Sequence, residues 1–202
     1  MYRLTILVVS FALAVATLAG GATASAADDS LVDQLGEPPQ VSPVVPPEAT
    51  GAEAAAAADE QTISVPLRAE RAGEADLSPD VADAVSPAGC VAQIDDAHIA
   101  TSVANAVKVN ARITCRRAVQ ALALRVNLYK KHFFGLLNSL QASTVTSNAG
   151  RASLQNQNTF RHCTNHKSTK WFGTAQAASL EGGVVYTASV VSPHVRSLNC
   201  GT

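Results

Sequence analysis

The sequence reads VKVNARITC over residues 107–115 and LALRVNLY over residues 122–129. In both stretches apolar residues take every second position, while mostly polar or small residues lie between them. A period of two is typical of a β-strand that buries one face and exposes the other. These stretches therefore predict two strands of an antiparallel β-structure.

Weaker versions of this pattern extend through the C-terminal half of the chain. Further strands are predicted at residues 91–94, 136–146, 154–163, 170–179, 184–191 and 195–200. Turn-forming residues separate them at 130–135, 148–150, 164–168 and 181–183. Seven or eight short strands without a convincing helix indicate the all-β class, as a small antiparallel β-sandwich or a partly open barrel.

All four cysteines belong to this β-rich half, at Cys90, Cys115, Cys163 and Cys200. Four cysteines allow three disulfide pairings. Each cysteine lies at the beginning or end of a predicted strand, which favours joining neighbours along the chain. We therefore expect two structural disulfides, Cys90 with Cys115 and Cys163 with Cys200.

The charges divide the chain into two unlike parts. Residues 27–89 contain thirteen acidic and two basic residues with eight prolines and no aromatic residue, whereas residues 90–202 contain twelve Lys and Arg and three acidic residues. A chain as acidic and as poor in aromatic residues as 27–89 cannot bury enough apolar surface to fold alone. We therefore predict a disordered acidic Pro/Ala-rich segment before a basic domain at 90–202, acting as a spacer or as a mask of the basic surface.

The first 26 residues have the layout of a signal peptide. Arg3 precedes an apolar run over residues 4–19, and Ala24-Ser25-Ala26 offers small residues for cleavage after Ala26 or, as second choice, after Ala24. The run is shorter than the roughly 20 residues of a transmembrane helix, which disfavours an uncleaved anchor. The expected protein is secreted, extracellular or associated with the cell envelope, and its mature chain has no membrane span.

The domain resembles a group of small, uncharacterised secreted proteins of actinobacteria. The resemblance covers roughly residues 90–202 and rests on Cys90, His98, the strand 107–115, the stretch 122–130, and the pair Cys163 and Cys200. It implies export, two disulfides and a β-sandwich-like domain. It implies no activity.

His162, Cys163 and His166 lie close together in the sequence, and three such residues can form a zinc site. Successive residues of a strand point to opposite faces, so His162 and Cys163 would diverge. Cys163 is better used in a disulfide. We therefore expect exposed histidines beside a turn, and no metal or cofactor.

Asp95 or Asp96 together with His98 could orient a serine nucleophile, as in a catalytic triad. The sequence contains neither a Gly-x-Ser-x-Gly elbow nor a His-Glu-x-x-His motif. A polar turn after the first strand is the simpler interpretation of the two aspartates. We therefore do not expect an enzyme.

Basic residues interleaved with aromatic ones are the third candidate, at residues 129–134 and 167–172. Cations beside ring faces suit an anionic ligand, although solvated lysines and inward-facing rings would give the same sequence. The net charge of +9 over residues 90–202 favours the ligand. The candidate ligand-binding residues are Arg112, Arg116, Arg117, Arg125, Lys130, Lys131, Lys167, Lys170 and Trp171.

The sequence leaves two interpretations of the function open. The favoured one is a secreted non-catalytic binding module whose basic β-domain engages an anionic extracellular or cell-envelope polymer. The alternative is a protein-binding effector or an inhibitor of a secreted protease, which the size and disulfide number allow, although the cysteine spacing and reactive loop of the subtilisin inhibitors are missing. Binding to a polyanion depends steeply on salt, and docking in a protease cleft much less. The oligomeric state is left open.

Overall fold

The computed structural model describes residues 31–35, 62–69, 84–132 and 138–202. The signal peptide predicted at 1–26 and most of the predicted acidic segment lie outside these residues. The same holds for Phe133 and Phe134 of the first basic stretch.

The described residues form antiparallel strands in two open sheets, so the predicted all-β class is confirmed, and the sheets do not close into a barrel. The strands are β1 (Ile63–Pro66), β2 (Arg68–Ala69), β3 (Val91–Ile94), β4 (His98–Ile99), β5 (Ala106–Thr114), β6 (Ala121–Lys131), β7 (Asn138–Ala149), β8 (Ser153–His162), β9 (Asn165–Glu181), β10 (Val184–Val191) and β11 (Arg196–Gly201).

Sheet 1 has the order β1-β3-β5, with β4 and β8 also paired to β5. Sheet 2 has the order β2-β10-β9-β6-β7, with β11 also paired to β9. Every pairing is antiparallel. The long strand β9 thus pairs with three strands, β6, β10 and β11, and holds most of sheet 2 together.

The core lies between the two sheets and is formed by the alternating residues that the sequence pattern indicated. β5 contributes Val107, Val109, Ala111 and Ile113, and β6 contributes Leu122, Leu124, Val126 and Leu128, all of them buried in one cluster. The sheets approach closely where Gly173 faces Val109. A Cβ at position 173 would lie 2.5 Å from Cγ2 of Val109, so a larger residue there would force the sheets apart.

Two features of the strand prediction need correction. Residues 164–168 were predicted as a turn, but β9 already begins at Asn165, because β11 supplies hydrogen-bonding partners such as Asn199 opposite Ser168. Residues 63–69 were assigned to the disordered segment, but they form β1 and β2. Leu67 between them is fully buried, and its main-chain N–H donates to the Cys90 carbonyl at 3.0 Å, so this stretch passes from one sheet to the other.

The two disulfides join the pairs that the sequence favoured. Cys90 and Cys115 lie next to the paired strands β3 and β5 within sheet 1. Cys163 follows β8 of sheet 1, whereas Cys200 lies in β11 of sheet 2. The second bridge therefore ties the two sheets together covalently.

A short helical segment, residues 31–35, packs on the outer face of sheet 2. Leu31 and Leu35 are 2% and 6% exposed and contact a shallow surface that includes the small residues Ala121, Ala123 and Ala178. This described segment of the acidic part of the chain therefore packs on the domain upstream of β1. Among the described residues, no helix has the length and apolar character needed to cross a membrane.

Candidate anion-binding site

The pairing of β6 with β9 brings the two predicted basic stretches side by side. Lys131 lies directly opposite Lys170, and in the neighbouring row of the same face Tyr129 lies opposite Phe172. Alternation along the strands places all four side chains on the outer face of sheet 2. Lys131 and Lys170 therefore form a directly opposed pair of cations, here called the lysine pair.

The aromatic row beside the lysine pair is buried. The rings of Tyr129 and Phe172 stack with centroids 5.2 Å apart and an interplanar angle of 12°, and Val195 packs against them. Burial raises the pKa of the Tyr129 phenol above its ordinary value. The phenol is therefore uncharged at neutral pH and does not reduce the positive charge of the lysine pair.

Polar side chains continue the lysine row on both sides. Asn138 of β7 lies opposite Lys131, and Ser197 of β11 lies opposite Lys170. Four adjacent strands thus carry a row of hydrogen-bonding residues about 14 Å long. The Oδ1 atom of Asn138 is buried and has no hydrogen-bond partner among the described residues. The row therefore combines two cations with polar side chains.

Trp171 is not a surface platform, contrary to the sequence prediction. Its side chain is fully buried in the core, and Nε1 donates a hydrogen bond to the Cys200 carbonyl at 3.1 Å. The physical reason is strand alternation, which turns Trp171 inward whenever Lys170 faces outward. Lys130 follows the same inward alternation, and its Nζ donates to the main-chain oxygen of Thr202 at 2.6 Å.

The other predicted ligand-binding residues are spread over the molecule. Lys167 is exposed in the part of β9 that extends past the end of β6. Arg125 shares the outer face of sheet 2, about 20 Å along β6 from Lys131, and its Nη1 donates to the Leu35 carbonyl at 3.2 Å. Arg112 lies on the outer face of sheet 1, whereas Arg116 and Arg117 lie in the loop after Cys115, at the opposite end of β6. The predicted residues therefore do not form one continuous surface.

Asp96 and His98 do not form the catalytic arrangement that was considered from the sequence. The Asp96 carboxylate accepts a hydrogen bond from the main-chain N–H of His194 at 2.8 Å, and it lies 3.2 Å from His194 Nδ1 and 3.6 Å from Arg196 Nη1. The ring of His98 instead lies 2.9 Å from the Asp96 main-chain oxygen. Asp96 therefore anchors the connection between β10 and β11 to sheet 1.

Glu181 and Asp95, the other two acidic residues of 90–202, also hold local structure. The Glu181 carboxylate accepts hydrogen bonds from Ser86 Oγ at 2.6 Å, Ser179 Oγ at 2.8 Å and the Ala88 main-chain N–H at 2.8 Å. The Asp95 carboxylate accepts one from a threonine hydroxyl next to β1 at 2.9 Å. The carboxylates of this half of the chain are thus engaged by loops and strand ends.

The histidine and cysteine group at 162–166 has other roles. Cys163 is bonded to Cys200, and the ring of His162 packs edge-on against Phe160 with centroids 5.4 Å apart. Within the part of the chain that the structure describes, no three His, Cys, Asp or Glu side chains are grouped as metal ligands would be.

Comparison with known proteins gives no relative. No protein-family model matches the sequence, and no curated protein matches it at a significant level. The function is therefore inferred from the residues of the chain itself.

Proposed function

We propose that this protein is a secreted, non-catalytic binding module that holds an anionic polymer of the cell envelope or its surroundings at the lysine pair. The observation that carries the proposal is the direct cross-strand opposition of Lys131 and Lys170 on the outer face of sheet 2. Two cations at directly opposite positions of neighbouring strands can contact successive negative charges of one polymer.

The neighbourhood of the pair supports a polymer over a small anion. The row formed by Asn138, Lys131, Lys170 and Ser197 runs across four strands, and Ser197 is exposed while the two lysines are half-buried. An extended chain with several charges can span this row of about 14 Å, whereas a single phosphate or carboxylate cannot.

Polymer binding is tested with dextran sulfate as the anionic probe and uncharged polyvinyl alcohol, which contains no sugar, as the control. If two polymer charges are neutralised by the lysine pair, the affinity of residues 27–202 for dextran sulfate should fall about tenfold between about 50 and 200 mM salt. Isothermal titration calorimetry measures both affinities. Equal binding to both polymers, or binding that does not change with salt, would contradict the proposal and direct the search to protein partners such as a secreted protease.

The acidic segment is proposed to regulate this binding. It is anchored on the same face of sheet 2 as the lysine pair, through Leu31, Leu35 and the hydrogen bond from Arg125 to the Leu35 carbonyl. A tethered acidic chain competes with an external polyanion at a high effective concentration. The described anchor residues, Leu31 and Leu35, lie on the face of sheet 2 that also carries the lysine pair.

Releasing this anchor should increase polymer binding. Replacing Leu31 and Leu35 with serine removes two buried leucines, so the acidic chain competes less well and the affinity for dextran sulfate at low salt should rise several-fold. The matched control is Gln34→Ser, because Gln34 belongs to the same segment and is exposed. Unchanged affinity in the double-leucine variant would exclude regulation by this contact.

A further inference from the structure

A second polar site lies on the outer face of sheet 1, away from the lysine pair. A solvent-accessible cavity of about 210 Å³ is lined by Asp95, Asn110, Ala111, Arg112, Gln155 and Gln157. Its lining side chains, apart from one alanine, are polar. The cavity is smaller than the roughly 300–1,000 Å³ of pockets that enclose drug-sized ligands, so it suits one small polar unit.

A ladder of hydrogen bonds fixes the side chains on one side of this cavity. Arg112 Nε donates to Gln93 Oε1 at 2.5 Å, and Gln93 Nε2 donates to Ser64 Oγ at 2.7 Å. The register of β1, β3, β5 and β8 places Ser64, Gln93, Arg112 and Gln155 in one row. Because Nε is used in the ladder, the two terminal nitrogens of Arg112 are held in position to reach a ligand.

Asn110 carries an unsatisfied polar atom next to this cavity. Its Oδ1 atom is buried and has no hydrogen-bond partner among the described residues. An unsatisfied buried carbonyl oxygen is unfavourable for folding. Rotation of the Asn110 amide toward the cavity would let a ligand hydroxyl provide the missing donor.

The charges of the cavity select the class of ligand. Asp95 would repel a phosphate or carboxylate, and Arg112 would repel a cation, so neither kind of ion is favoured. The amides of Asn110, Gln155 and Gln157 offer both donors and acceptors. Sugar hydroxyls also donate and accept, which matches this mixture.

We propose that this cavity binds one uncharged hexose unit of a polysaccharide. Such a site lies on the opposite sheet from the lysine pair and does not depend on polyanion binding. The protein would then contact an anionic polymer through sheet 2 and a neutral glycan through sheet 1.

The proposal is tested by NMR titration of ¹⁵N-labelled residues 27–202 with glucose, galactose and mannose. We expect at least one sugar to shift the side-chain amide resonances of Asn110, Gln155 and Gln157 in the millimolar range. A corresponding polysaccharide, such as dextran for glucose, should shift the same resonances if the natural source is a polymer. Absence of these shifts with all three sugars would overturn the proposal.

The variant Asn110→Val separates recognition from folding. It should weaken sugar binding at least tenfold without lowering the melting temperature, because the lost amide oxygen has no partner in the protein. The matched control is Asn138→Val, which removes a similarly buried and unpartnered amide oxygen from sheet 2. Sugar shifts that persist in Asn110→Val would overturn the site. Dextran sulfate binding by the Asn110→Val variant should remain intact. Failure of the sugar site is therefore distinguishable from failure of the polyanion site.

Discussion

Replacing Cys163 and Cys200 together with alanine is expected to lower the free energy of unfolding by about 4 kcal/mol. The bridge closes a loop with a sequence separation of 37 residues, and in the chain-entropy model a loop of this size restricts the unfolded chain by about that amount. It is also the covalent link between the two sheets. The loss is a large fraction of the about 5–15 kcal/mol that stabilises a typical domain.

Urea denaturation of residues 27–202, followed by circular dichroism, measures this loss. The control is the Cys90→Ala/Cys115→Ala variant, which opens a shorter loop of 25 residues and should lose about 3.5 kcal/mol. A loss below about 1 kcal/mol in both variants would show that the disulfides are not the main stabilising links.

The core strands could be predicted because their sequence and their burial have the same period. β5 and β6 alternate in the sequence, and the same alternation separates the core from the outer face. β1 and β2 were missed because Ile63 and Val65 are a short apolar pattern within an acidic, proline-rich context. Pro66 is tolerated there because β1 is an edge strand, where a missing N–H is not required by a second neighbour.

The lysine pair was less predictable than the core strands, because it depends on strand register. The sequence indicated the two basic stretches, but only the register of β6 with β9 places Lys131 opposite Lys170. Trp171 was included because it adjoins a lysine in the sequence, whereas adjacent residues of a strand face opposite ways. The contact of Asp96 with His194 joins residues 98 positions apart, and no local pattern signals it.

Replacing Lys131 and Lys170 together with glutamine is expected to lower the affinity for dextran sulfate about thirtyfold at low salt. A basic residue near an anionic surface contributes about 1 kcal/mol, and two such residues account for this factor. Both side chains lie on the outer face of sheet 2, so the variant should keep its fold, which circular dichroism checks.

The most direct test of the central claim is the salt dependence of dextran sulfate binding in two variants of equal net charge. One variant is Lys131→Gln/Lys170→Gln, and the other is Arg116→Gln/Arg117→Gln at the opposite end of the domain. If the lysine pair is the binding site, the lysine variant should lose most of the affinity and most of the salt dependence, while the arginine variant should behave like the unmodified protein. Equal losses in both variants would contradict the claim, because they would show that total charge and not the lysine pair determines binding.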